Sequence, residues 1–533
     1  MHGDDGLKIA IIHSCDSLNF TMVSKQLQHE RLVRGIAKGA GVVFAATIIA
    51  RIFGYFIRAL IARGYGPEGY GMISTSLAVM VMASRIALMG LTNSVSRQIP
   101  FYIGKGKHAN VRSLIFSAYF ISTLIASVLA FLLYRYSDLI AVSVFKNEQL
   151  IPFFRYFSFT LVVYIFIELS ASVFKAYKKM VYYVLVKDLL RFAAIFLAVL
   201  AVTVLNGPVR YLGLAYLGAH LAIGLLGTSG LFTLTPISTY KSSGLFKEFS
   251  TLFSFSWPLM MASIAYMLLY KVDILMIGYF LNQSEVGIYN AAVPIAQLLT
   301  IIISSFTPFL LPSMTEYYAG SDITNLDKTF SISTKWIFLL TIPLFSLIFF
   351  FPEFFLVVIF GKQFVEAAPV LRIISLGFLL ASSVGPTGNL LIVLGRTRLM
   401  LLNNTAIFLL NIILNYLLIP LYGIIGSAIA SAVSLITLNA LTLIEIYRIV
   451  EIQPFTRYFI KICMLSIGLA AIMRMVFTPQ SFLIGAAYFM FYGGVFMLGL
   501  KYTGCFDEND QIVFVEIEKR MMNVKDWFDG FIH

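Results

Sequence analysis

Charge is what this chain has least of. Only 12% of its 533 residues are Asp, Glu, Lys or Arg, about half the charged share of an ordinary soluble domain. A soluble protein of this length divides into compact domains with charged surfaces, and this composition cannot coat them. Cysteine is scarce too. Cys15, Cys463 and Cys505 lie far apart, which excludes a disulfide framework and any thiolate metal site. No glycine-rich phosphate-cradling loop of the ATPase type is present, so direct ATP hydrolysis is not expected. No metal or other cofactor is expected either. What the chain has instead is hydrophobic mass, 59% of its residues, with 48 Phe and 28 Tyr that suit a lipid-facing body and its interfaces.

A helix needs about 20 mostly apolar residues to cross the hydrocarbon core. Runs of that kind fall near 40–62, 70–93, 111–134, 152–174, 183–205 and 211–234. A second set follows near 251–281, 287–312, 333–358, 366–394, 400–419 and 422–447, with a final pair at 457–477 and 482–503. The reading is an all-α polytopic membrane protein of about fourteen spans. With the N-terminus inside, sixteen Lys and Arg fall in inside loops. Only Arg63, Arg135, Lys146, Arg210 and Lys362 fall outside. That bias predicts a multi-pass protein of the cell membrane with both termini cytoplasmic. It also explains most of the +13 net charge through contact with anionic lipid, so no nucleic-acid partner is needed.

The ends carry less. Residues 1–35 read as a cytoplasmic tail and not as a signal peptide, and Met22 offers an alternative start. Residues 504–533 suit an amphipathic helix on the cytoplasmic membrane surface. Between them the spans divide into a six-helix lobe (36–234), a linker (235–250), a second six-helix lobe (251–447) and an additional pair (448–503). An internal repeat supports that division. Tyr70, within Gly64-Tyr-Gly-Pro-Glu-Gly-Tyr-Gly71, corresponds to Tyr289 at an offset of 219 residues, and Tyr211-Leu-Gly213 to Tyr422-Gly423 at 211. Parallel repeats of this sort place substrate between halves that rock against each other.

The same residues carry a family resemblance. Leu60-Ile-Ala-Arg63 leads into Gly66-Pro-Glu-Gly-Tyr-Gly71. Lys271-Val-Asp-Ile-Leu-Met-Ile-Gly278 leads into Val286-Gly-Ile-Tyr-Asn-Ala-Ala292. Asn411 to Asn415, Leu417, Ile419-Pro420, Tyr422-Gly423 and Gly426-Ser-Ala428 form a third block. Together they resemble the polysaccharide transporter (Wzx-type) branch of the multidrug/oligosaccharidyl-lipid/polysaccharide exporter superfamily, over residues 36–503. The resemblance implies a flippase that carries a polyprenyl-diphosphate-linked oligosaccharide from the cytoplasmic to the outer leaflet through a cavity between two lobes.

Charges inside spans cost at least about 2.5 kcal/mol each unless they meet a cavity or a partner. Arg51 and Arg58 lie seven residues apart on the first span, about 20° from one face. Arg85 lies on the second span, and Lys271 and Asp273 on the seventh. Counted back from Tyr70 and Tyr289, Arg51 and Lys271 are near-equivalents, and two such cations suit a diphosphate. Arg58, Arg85 and Arg372 are further cavity candidates, with snorkelling or ion pairing as the plainer readings. Glu168 is a coupling or gating candidate, or simply the partner of Arg191; Lys187 and Asp188 read as interfacial. Asp273 has two readings, a gate salt bridge, slightly favoured, or a site for a coupling proton or sodium ion. Prolines 258, 294, 308, 343 and 386, with Gly54 and Gly90, mark bends that suit alternating access or merely the tolerance of membrane helices.

Three rivals stand beside the flippase reading, one of them a scaffold without transport, which would leave the buried charges without a reason. An enzyme of glycan assembly needs an acidic constellation near the outer surface, and the outer loops offer only Glu68, Asp138 and Glu148. A multidrug cation antiporter of the same superfamily needs cavity carboxylates. Here Arg51, Arg58, Arg85, Lys271 and Arg372 outnumber Glu168 and Asp273.

Overall fold

A chain crossing lipid must satisfy its backbone internally, and this one does so with helices. The computed structural model describes residues 5–235, 271–455, 458–477 and 481–502, with residues 479 and 504, and no strand occurs among them. The expectations on Pro258, on the linker beyond Thr235 and on the C-terminal tail from 505 lie outside the described residues.

The N-terminal half begins with α1 (Asp5–Leu88), then α2 (Leu91–Gly104), α3 (His108–Arg135) and α4 (Leu150–Ala176). Helix α5 joins Met180–Val184 to Leu190–Val204 through a π-helical turn at Leu185–Leu189, and α6 is Tyr211–Leu234. The C-terminal half opens with α7 (271–280), α8 (Gln283–Ala296), α9 (Leu299–Ala319) and α10 (Ile323–Phe350). It continues through α11 (Pro352–Ile359), α12 (Ala368–Ser383), α13 (Thr387–Val393) and α14 (Thr397–Val450). A last pair, α15 (Tyr458–Val476) and α16 (Phe482–Tyr502), follows.

Nine helices among the described residues are long and apolar enough to cross a membrane, or ten with a pair of helices bent by 45°. Two of the nine are too long for one crossing. Ala45–Gly104 has 60 residues and Thr397–Val450 has 54, about 90 and 80 Å of helix against about 30 Å of hydrocarbon. Each is broken at a glycine of positive φ, Gly66 (67°) and Gly423 (59°), a conformation that L side chains resist. Pro67 follows the first break, where its missing N–H costs nothing. The motifs behind the family resemblance are therefore the chain's reversal points. The bent pair is Gln283–Ala296 with Leu299–Thr307, and Pro294 lies just before the bend. The expected fourteen spans include one that needs residues 251–270, outside the described set.

Helix α4 is the core of the N-terminal half: 78% of its apolar window is buried, against 22% for α16 at the periphery. Phe153, Phe154, Phe157 and Leu161 are sealed within it. Packing between the halves is carried chiefly by α1 against α8, with a smaller contact from α1 to the turn Lys362–Ala367. It centres on a glycine seam. A Cβ on Gly71 would lie 1.7 Å from the Gln283 carbonyl oxygen, and one on Gly287 1.9 Å from that of Pro67. Around the seam, Asn290 Nδ2 donates to Ser74 Oγ at 2.7 Å and the Tyr55 hydroxyl to the Pro294 carbonyl at 2.7 Å. The Arg63 guanidinium reaches across to the Val357, Val358 and Ile359 carbonyls that end α11.

Candidate functional site

Three groups of charged side chains sit inside this scaffold. The first is on the helices that line the boundary between halves. Arg58, partly buried, lies against the Tyr55 ring at 5.7 Å, and Lys271 is within its electrostatic reach. Neither forms an ion pair among the described residues. The cation that stands within electrostatic reach of Lys271 is thus Arg58, not the Arg51 that the repeat offset pairs with it, and the helix breaks suggest why. Arg58 lies 8 residues before the break at Gly66 (66 − 58), Lys271 10 before Leu281, where α7 ends (281 − 271), and Arg51 15 before Gly66 (66 − 51). At 1.5 Å per residue these are depths of about 12, 15 and 22 Å. Arg58 is the depth match for Lys271. Arg51 is exposed on the protein surface, within reach of Asp188 and Tyr55.

The second group is a basic cavity of about 150 Å³ within the N-terminal half. Arg85, Lys175 and Lys187 line it together with Glu168. Arg85 comes from the last turn of α1 and Lys175 from the last turn of α4. Lys187 comes from the π-helical turn, a feature that recurs at functional sites because it shifts the side chains that follow. Lys187 is thus a cavity residue and not merely interfacial. Arg191, four residues on and so on the same helix face, stands 3.7 Å from Glu168, which gives the expected pairing of these two residues. The carboxylate also accepts from the Tyr164 hydroxyl at 2.8 Å. Gly90, Thr92 and Asn93, at the start of α2, complete the mouth. His220, buried against Tyr164 and Tyr216, belongs to the same polar interior and went unread in the sequence. Its only signal there is a histidine within an apolar run.

The third group surrounds Asp273, which is buried. It accepts hydrogen bonds from the Tyr289 hydroxyl at 2.8 Å, from Asn415 Nδ2 at 2.9 Å and from the Ser431 hydroxyl. Asn415 is in turn held by Ser427 at 2.7 Å and by Asn411. No cation lies within ion-pair distance of Asp273 among the described residues, so the slightly favoured gate salt bridge is not formed in this structure. Lys271, two residues away, points from a different face of the helix, and neutral donors fill the place. A cavity of about 30 Å³, lined by Asp273, Tyr289, Gln297 and Ser431, adjoins the carboxylate. That volume suits a water molecule or a small ion.

Arg372 falls in none of these groups. It donates to Glu353 at 2.7 Å and to the Phe349 carbonyl at 3.1 Å, and Arg474 stands 3.6 Å from the same carboxylate. The cluster fastens α15 to α11 and α12, so the arginine expected in the cavity serves the docking of the terminal pair. Both partners of the tighter bridge are about one-third exposed. Glu353→Gln is accordingly expected to cost about 1 kcal/mol. The check is a small fall in melting temperature in detergent with transport unchanged.

The two helical halves, joined by a glycine seam and holding charged side chains at membrane depth, define a polytopic membrane protein of transporter architecture. Residues 36–318, just over half of the chain, match the family model described as polysaccharide biosynthesis protein. The chain belongs to that family. The MatE family model matches residues 258–417. The "Probable low-salt glycan biosynthesis flippase Agl15" of Haloferax volcanii is 29% identical over 201 residues, 38% of this chain and 43% of that relative. The chain thus spans less than half of that relative's length in the match. The "Uncharacterized membrane protein MJ1068" of Methanocaldococcus jannaschii is 24% identical over 505 residues, 88% of this chain and 95% of the relative. The structure titled "Lipid II flippase MurJ, inward closed conformation" shares the fold, with a TM-score of 0.67 at 17% identity over 86% of this chain and 99% of the other.

Proposed function

We propose that this protein is a flippase for a polyprenyl-diphosphate-linked oligosaccharide, moving it from the cytoplasmic to the outer leaflet of the cell membrane by alternating access. The observation that carries the reading is the pair Arg58 and Lys271, like charges from the two halves with no carboxylate in ion-pair distance of either among the described residues. Two unneutralised cations at membrane depth are costly, and a diphosphate entering between them relieves both. The names of the glycan biosynthesis flippase relative and of the lipid II flippase structural neighbour point the same way. The glycine seam closes the halves at the end that the Lys and Arg bias puts outside. The cargo therefore enters from the cytoplasmic side, where both termini also lie. The lobes are 36–234 and 251–447, with 448–503 as an additional pair. The protein is a carrier and not an enzyme.

Coupling falls to Asp273, whose adjoining cavity suits a proton-bearing water or a sodium ion. Asp273→Asn keeps the shape and removes the charge. It is expected to cut flipping driven by an imposed sodium or proton gradient at least about tenfold and to leave undriven flipping in place. A variant that keeps its full gradient response would remove Asp273 from coupling.

The match of residues 258–417 to the MatE model favours a second reading, export of cationic drugs. The sign of the unpaired charges opposes it. Ligand-induced stabilisation in detergent separates the two, since a ligand that binds only the folded state raises the melting temperature. A polyprenyl-diphosphate oligosaccharide is expected to stabilise the protein and a cationic rhodamine dye to do nothing. The reverse result would replace the flippase with the drug exporter.

A further inference from the structure

We propose that Glu168 is the resident counter-charge of the basic cavity, present so that a bound diphosphate is neutralised yet able to leave. The inference rests on the flippase reading above and adds to it a second station for the diphosphate, in the N-terminal half and apart from Arg58 and Lys271, with a positioning role there for one residue. Arg85, Lys175 and Lys187 give the cavity wall three positive charges and Glu168 one negative, 3 − 1 = +2. A diphosphate diester carries one ionised oxygen on each phosphorus, which matches that wall. Arg191 and Asp188, and Arg51 within electrostatic reach of Asp188, do not line the cavity.

Glu168 is bridged to Arg191 and not to any cation of the cavity wall. None of the three wall cations is within ion-pair distance of a carboxylate among the described residues. Glu168 is held back from them, 2.8 Å from the Tyr164 hydroxyl and 3.7 Å from Arg191, whose guanidinium lies over the Tyr164 and Phe192 rings at 5.4 and 5.1 Å. Lys187 is steadied by the Tyr183 hydroxyl at 3.1 Å, a neutral partner that leaves its charge available. The start of α2 faces the same space with no acidic residue in its first turn and no side-chain cap. The positive end of its dipole adds to the potential there. A buried carboxylate is costly to desolvate, and Glu168 offsets that cost through the cations around it. Here it lowers the field that an anionic cargo must escape.

The test is a charge count in the full-length protein. Affinity for polyprenyl-diphosphate oligosaccharide is measured in detergent, and its flipping rate in proteoliposomes. Glu168→Gln raises the wall to +3 and is expected to tighten binding about tenfold and slow flipping about tenfold. Lys187→Gln lowers the wall to +1 and is expected to weaken binding by a similar factor. The double variant Glu168→Gln/Lys187→Gln restores +2 and is expected to return both quantities toward wild type, which a purely structural role would not do. Glu168→Asp keeps the charge and is expected to stay near wild type. Glu168→Ala removes the same charge should the glutamine variant fail to accumulate. Binding that weakens or stays unchanged when Glu168 loses its charge overturns the proposal. A wild type that binds no diphosphate lipid overturns the flippase reading instead.

Discussion

Gly71→Leu is expected to lower transport by at least about a hundredfold while the protein still folds. The Cβ that any other residue brings would meet the backbone of Gln283 at 1.7 Å for oxygen and 2.7 Å for carbon. The obstacle is main chain on a packed helix, so no rotamer change relieves it. Overpacking of this kind costs about 3 kcal/mol or more, which is about a hundredfold in the population of the closed arrangement. The clash lies where the halves meet, so its cost falls on the closed arrangement of the cycle. Gly287→Leu, meeting the Pro67 carbonyl from the other side, is expected to behave alike. The check is flipping in proteoliposomes together with thiol labelling of Asn290→Cys, whose introduced thiol is protected in an otherwise wild-type protein and reactive in the leucine variants. A leucine variant that transports normally with the thiol at position 290 still protected would show that the seam is not a gate.

Arg58→Ala and Lys271→Ala should each reduce flipping of a diphosphate-linked lipid by about ten- to a hundredfold. A charge-assisted hydrogen bond contributes about 1.5–3 kcal/mol, more where water is excluded. Arg51→Ala is expected to fall by less than about fivefold, because Arg51 lies about two helical turns from Arg58 and keeps Asp188 within reach. Initial rates in proteoliposomes, with melting temperatures as the folding control, decide between them. If Arg51→Ala is the more damaging change, the depth assignment drawn from the helix breaks is mistaken.

That reassignment shows what sequence carries and what it does not. Apolar run length gives the helical class and the membrane directly, because backbone satisfaction in lipid leaves few other solutions. The reversal at Gly66 is also readable, since Gly-Pro after a long apolar run ends one helix and starts another. Depth is not readable from a repeat offset. Tyr70 and Tyr289 align, but the stretch between cation and break differs, and a few residues move a charge several ångströms. The place of Lys187 depends on a π-helical turn at Leu185–Leu189, which no periodicity announces. The partners of Asp273 come from Asn415 and Ser431, more than 140 residues away, so its neutral hydrogen-bond shell is a product of tertiary packing. The engagement of Arg372 by Glu353 likewise needs the short helix α11 to fold back beside α12.

The most direct test of the account is transport by the wild-type protein in proteoliposomes, with a fluorescent polyprenyl-diphosphate oligosaccharide and a cationic dye offered in parallel. The account predicts that the lipid-linked sugar crosses between leaflets at a rate well above that of empty vesicles, and that the dye is not moved. Export of the dye with no movement of the lipid-linked sugar would contradict it.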